Sequence, residues 1–144
     1  MKEIIKKINL ITYINYAITI ILLILIFIFK ANQTRIVNRF ISTIVLVGAT
    51  LFSVAIPILF RTGYYQKSLK DKGLDISDYY NFKLFMNISI FIGSLFALYG
   101  YYYPIYKYHL YFSIFACIWG IYSIFPSLKV VEKDFITYKV KTEV

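Results

Sequence analysis

The chain has 144 residues, 60% of them hydrophobic and 16% charged, with a mean hydropathy of +0.67 and a net charge of +9. A soluble domain is about half apolar and about a quarter charged, so this composition excludes an ordinary soluble fold. A single cysteine, Cys117, excludes an internal disulfide or a C-x-x-C redox pair, and a single histidine, His109, excludes bis-histidine haem ligation.

The charges cluster between four apolar segments. Crossing a hydrocarbon core of ~30 Å takes about 20 helical residues. Ile8–Phe29 supplies 22, Phe40–Phe60 supplies 21 and Leu84–Tyr103 supplies 20, with a less sharply bounded fourth segment over Tyr108–Leu128. None contains Asp, Glu, Lys or Arg, and none has the polar face that a soluble helix requires. The expected fold is therefore all-α and integral to a membrane. It is a four-transmembrane-helix bundle over residues 8–29, 40–60, 84–103 and 108–128, forming one domain across 1–144. The first segment follows MKEIIKK, which resembles a signal peptide. Its apolar run is too long for such a leader and no Ala-x-Ala-like site follows, so it reads as a retained span.

Four crossings put both termini and the 61–83 loop on one side. That side holds twelve basic residues, while Lys30, Arg35, Arg39 and Lys107 lie on the other. Basic residues are retained inside, so both termini should be cytoplasmic. The positive charge is then a device for orientation and for contact with anionic lipid. It does not call for a nucleic-acid partner, because the longest soluble loop mixes its lysines with three aspartates.

The first span carries Asn15 and the third carries Asn87. These are the most polar side chains inside spans, and contact between them would tie the first span to the third. Gly48, Ala49 and Ser53 on the second span should form packing faces, as should Ser89, Gly93 and Ala97 on the third and Ala116 and Gly120 on the fourth. Small residues at spacings of three and four let helices approach closely in lipid. This pattern predicts a tight third–fourth hairpin joined by the second span, with the first span packed more loosely. Pro57 should kink the second span near its cytoplasmic end.

In the 61–83 loop, Asp71 and Asp75 have the D-x-x-x-D spacing of carboxylates that hold Mg²⁺ against a diphosphate. Gly73 between them argues instead for a solvated turn, with Asp75 or Ser77 capping the next helix. YGYYYPIYKYHLYF, residues 99–112, falls between the third and fourth segments. Tyr99, Tyr101, Tyr102, Tyr103, Tyr106 and Tyr108 read as an interfacial belt around a turn made by Pro104. An aromatic cage for a cation would want a carboxylate nearby, and none lies between Asp78 and Glu132. Tyr64, Tyr65, Tyr79 and Tyr80 should form the inner belt, with Tyr13 and Tyr16 near the inner headgroups. The tail, 129–144, is expected to be cytoplasmic and partly unstructured.

No catalytic, cofactor-binding or metal-ligating residue can be assigned. The absence of an intramembrane carboxylate argues against a proton-coupled exporter. The expected role is that of a small non-enzymatic plasma-membrane protein, prokaryotic by its Ile, Lys, Tyr and Asn bias. It would contact the bilayer and either a partner protein or a second copy. The alternatives are a toxin-immunity protein, a channel or solute transporter lined by Ser42, Thr43, Thr50, Ser53, Asn87, Ser89 and Ser94, and a lipid-acting enzyme using Asp71 and Asp75.

Overall fold

The computed structural model describes residues 2–28, 37–124 and 127–141. Helix α1 runs Lys2–Ile28, α2 Arg39–Thr50, α3 Ile56–Lys70, α4 Ile76–Tyr102, α5 Lys107–Ser123 and α6 Leu128–Thr137. There is no strand among the described residues. A π-helical segment, Leu51–Ala55, joins α2 to α3, so Arg39–Lys70 is one continuous rod of 32 residues. This rod and the 27-residue α4 are each long and apolar enough to cross a membrane. The helix of the fourth apolar segment, α5, has 17 residues and stops at Ser123, short of the expected Leu128. Lys30, Arg35, the end of the first segment at Phe29 and residues 125–126 lie outside the described residues.

Helix starts follow local chemistry. Asn38 caps α2 by accepting hydrogen bonds from the amides of Phe40 and Ile41, and Ser127 caps α6 by accepting from Val130. Between α3 and α4 the chain turns through Lys72 and Gly73. Gly73, at φ +129°, holds a conformation that side chains rarely adopt. A Cβ there would strike the Lys139 carbonyl.

The π-helical segment answers Pro57. A proline lacks an N–H and displaces the carbonyl one turn back, and a widened turn accommodates it without a break. Within that turn the Ile56 amide bonds to Leu51, five residues back. The next acceptor in this register, the Phe52 carbonyl, would need the N–H that Pro57 lacks. Ser89 on α4 supplies the missing proton, its Oγ lying 2.5 Å from the Phe52 oxygen.

Four helical columns result: α1, the α2–α3 rod, α4 and α5. α4 touches the other three, and α2 packs as closely on α5 as on α4. The second segment is thus an equal partner in the packing and not an addition to a third–fourth hairpin. α1 packs chiefly on α4. The start of α1, the 71–75 turn and the 127–141 tail share one end, here the cap end. The 103–106 turn lies at the opposite end.

Candidate functional site

Packing is organised on a seam of small residues. All eight small residues singled out in the sequence are buried: Gly48, Ala49, Ser53, Ser89, Gly93, Ala97, Ala116 and Gly120. Gly93 faces Ser53 so closely that an added Cβ would collide with its Oγ and lie 3.1 Å from its backbone nitrogen and 3.2 Å from the Ala49 carbonyl. Gly120 approaches the same residue from α5, where a Cβ would meet the Ser53 carbonyl at 2.7 Å. Ser53 is therefore the point at which α2, α4 and α5 converge, and its hydroxyl lies 3.6 Å from the Cys117 sulfur. The seam also includes Gly100, Ser94, Ser113 and Cys117, all buried. Ser113 continues the three- and four-residue spacing of Ala116 and Gly120, and Cys117 serves as a small packing residue on the same helix.

The two asparagines meet at the α1–α4 contact. Asn15 Nδ2 donates to the Asn87 carbonyl at 3.1 Å. Asn87 Nδ2 in turn donates to Thr12 Oγ1 at 3.1 Å and to the Lys83 carbonyl at 2.9 Å. Both Asn87 protons are thus used, and its side chain is buried with its partners. One turn further on, the Tyr16 hydroxyl donates to the Ile121 carbonyl and ties α1 to α5. Tyr16 is buried, with its ring turned into the bundle.

A second polar cluster closes the turn end. The fully buried Ser42 accepts the Tyr106 amide at 3.1 Å, and its Oγ lies 2.8 Å from His109 Nδ1. Arg39 Nε donates to the Tyr106 hydroxyl at 3.0 Å. His109 therefore fastens α5 to α2 and is not the plain surface residue its position beside Lys107 suggests. The turn occurs at the tyrosine cluster, with α4 ending at Tyr102 and α5 beginning at Lys107. Tyr99, Tyr102, Tyr103, Tyr106 and Tyr108 are exposed and Tyr101 is half-buried. Tyr99 and Tyr103 stack at 4.2 Å.

The largest departure from the sequence reading is at the cap end. Residues 128–137 form α6, and Tyr138 and Val140 follow it into a core with Leu74, Tyr79, Phe82 and Met86. Lys139, at φ +47°, ends α6 in the left-handed conformation, with the Val140 amide returning to the Phe135 carbonyl at 3.1 Å. Leu74 then exchanges backbone hydrogen bonds with Tyr138 and Lys141, at 3.2 and 2.8 Å, which locks the 71–75 turn to the tail. Lys83, only 7% exposed, pairs with Asp134 at 2.5 Å, and the same carboxylate oxygen accepts the Tyr79 hydroxyl at 3.1 Å. Burial, reinforced by the Asp134 charge, holds the Tyr138 phenol above the usual tyrosine range. Tyr79 is a core residue of this cap, and Tyr64 packs on Phe82, so these two rings do not form an inner belt.

The aspartates of the 71–78 stretch are not brought together as a metal site. Asp71 closes α3, Asp75 occupies the N-cap position of α4 without a capping hydrogen bond, and Asp78 pairs with Lys67 at 2.8 Å. Among the described residues no three His, Cys, Asp or Glu side chains group as metal ligands. No protein-family model, curated protein or solved structure matches the chain.

Proposed function

We propose that the chain is a multi-pass plasma-membrane protein that crosses four times, through α1, the α2–α3 rod, α4 and α5, with both termini cytoplasmic. It acts without catalysis, through helix–helix contacts, as a subunit or accessory factor of a membrane complex or as a homo-oligomer. One observation carries this reading. The contacts between the columns are rich in small and polar residues, among them Thr12, Ser42, Ser53, Asn87, Ser89 and Ser113, packed with Val45, Met86 and Ile90, while large apolar side chains such as Leu10, Ile21, Phe40, Leu59, Phe112 and Phe115 face outward. Water disfavours so much contiguous exposed apolar surface. Lipid favours this arrangement, because close approach and hydrogen bonds, not apolar burial, hold helices together there.

A conducting path has less support. Thr43 and Thr50 face outward and bond to carbonyls of their own helix, while Ser42, Asn87 and Ser89 are each engaged by a neighbouring segment.

The buried lone cysteine leaves a quiet background for the test. Gln66→Cys, Lys107→Cys and Lys139→Cys are treated in intact cells with a maleimide that cannot cross membranes. Lys107→Cys should react at once, and the other two only after permeabilisation. Labelling of Gln66→Cys from outside, or recovery of the protein in the soluble fraction, refutes the topology. The mass of the native complex in nanodiscs then separates a partner subunit from a homo-oligomer.

A further inference from the structure

We infer that the bilayer is locally thin along the outer face of α5, which is built to hold a short-chain lipid annulus; this rests on the membrane reading above. The face runs the whole helix. Tyr108 and Tyr111 are exposed at the turn end, Phe112, Phe115 and Ile118 in the middle, and Trp119 and Tyr122 at the cap end. Rings with a polar handle collect at the two membrane interfaces, and wholly apolar side chains occupy the band between them. The order along α5 is that of a lipid-facing helix, which commits the face to lipid as its occupant.

The spacing of those belts sets the thickness. At 1.5 Å per residue, Tyr108 and Tyr122 are about 21 Å apart along the helix, and the charged and capped ends Lys107 and Ser123 about 24 Å apart. The rod beside it measures about 33 Å from Arg39 to Arg61, and α4 about 30 Å from Lys83 to Tyr103. Tilting α5 would only shorten its projection. Arg61, the cap-end limit of the rod, also reaches the cap-end edge of α5. Its guanidinium reaches from the neighbouring rod to the Ser123 carbonyl at the end of α5, and Arg61, Trp119 and Ser123 line one small crevice. A guanidinium at that depth requires headgroups or water there. The turn-end edge has its own charged marker in the exposed Lys107. The α5 face therefore offers a band several ångström narrower than the ~30 Å hydrocarbon core of an ordinary bilayer, and the lipids against it must thin or be selected for length.

Trp119 is the only tryptophan, is 55% exposed, and sits at the cap-end edge of this face. The experiment therefore needs no substitution. The full chain is reconstituted into phosphatidylcholine vesicles with chains from fourteen to twenty-two carbons. Competition with brominated phosphatidylcholine, read from quenching of Trp119, gives the relative affinity of the lipid touching this face. The affinity should peak at the short chains and fall at least about twofold by the longest, and bromines near the headgroup should quench more than bromines near the chain end. An affinity that is flat or peaks at long chains overturns the inference while leaving the membrane reading standing. Vesicle-embedded protein whose Trp119 no brominated lipid quenches also overturns it, because the face is then covered by protein. Failure of the chain to float with the vesicles refutes the membrane reading itself. A second reporter, Tyr108→Trp in a Trp119→Phe chain, should show the same shallow quenching from the opposite leaflet, and deep quenching there overturns the thin-band assignment.

Discussion

Lys83 and Asp134 give the sharpest energetic prediction. Asp134→Ala removes the carboxylate from a lysine that is 7% exposed and strips the Tyr79 hydroxyl of its acceptor. Breaking a buried pair by deleting one partner costs about 3–5 kcal/mol. The Asp134 side chain keeps 21% of its exposure, so water softens the loss and the lower end, about 3 kcal/mol, is expected. Lys83→Met leaves Asp134 with its Tyr79 hydrogen bond and with more access to water, so about 1–2 kcal/mol is expected. The double variant Lys83→Met/Asp134→Leu removes both charges and should fall within about 1 kcal/mol of the parent. The assay is reversible unfolding in mild detergent, paired with the rate of tryptic cleavage at Lys129 and Lys133. The cap is what the pair holds, so cleavage should accelerate in the single variants and return towards the parent rate in the double. Additive losses, or an Asp134→Ala cost below about 0.5 kcal/mol, would refute a buried, coupled pair.

Gly93→Ala should destabilise by about 1–3 kcal/mol, because its Cβ meets backbone atoms that cannot swing away. Gly63→Ala should instead stabilise by about 0.5–1 kcal/mol, since nothing lies within 4 Å and alanine is the better helix former; equal effects in unfolding titrations would contradict the seam. Ser89→Ala should cost about 1–3 kcal/mol by orphaning the Phe52 carbonyl beside Pro57. Restoring the missing N–H with Pro57→Ala should reduce that cost, and a cost unchanged by Pro57→Ala would disprove the compensation. Asn87→Leu should lose about 0.6–2 kcal/mol and loosen α1, read as faster cross-linking or proteolysis of α1 while the α2–α4–α5 contact persists.

What the sequence reveals follows from which signals are local. Gly48, Ala49, Ser53, Ser89, Gly93, Ala97, Ala116 and Gly120 lie inside while Ala17 is exposed and Ser123 half-buried, and Asn15 meets Asn87, because a polar or tiny side chain in an apolar run has few places to go. The helix-breaking role of Gly73 is legible for the same reason, since its left-handed φ is a property of one residue. The cap is not legible. α6 is ten residues long, and the left-handed position after it is taken by Lys139 instead of the glycine that normally announces a helix terminus. Its start signal is Ser127 alone. Lys83 reads as a boundary charge until Asp134, 51 residues later, is placed beside it. Tyr16 and Tyr79 look like interfacial rings because tyrosine serves both uses, and the choice depends on whether an acceptor such as the Ile121 carbonyl or Asp134 comes within reach.

The polar groups divide the labour in a way that bears on function. At the turn end, Ser42, Tyr106 and His109 join α2 to α5. In the middle, Ser53 and Ser89 join the rod to its neighbours, and near the cap Thr12, Asn15 and Asn87 join α1 to α4. Other interior groups stay local: Ser68, Ser94 and Ser113 bond to carbonyls of their own helices, and Thr19 Oγ1 is buried without a hydrogen-bond partner among the described residues. The outer surface is apolar along the rod and aromatic along α5. The two experiments that test the proposed membrane role most directly are therefore the lipid annulus of Trp119 and the mass of the native complex.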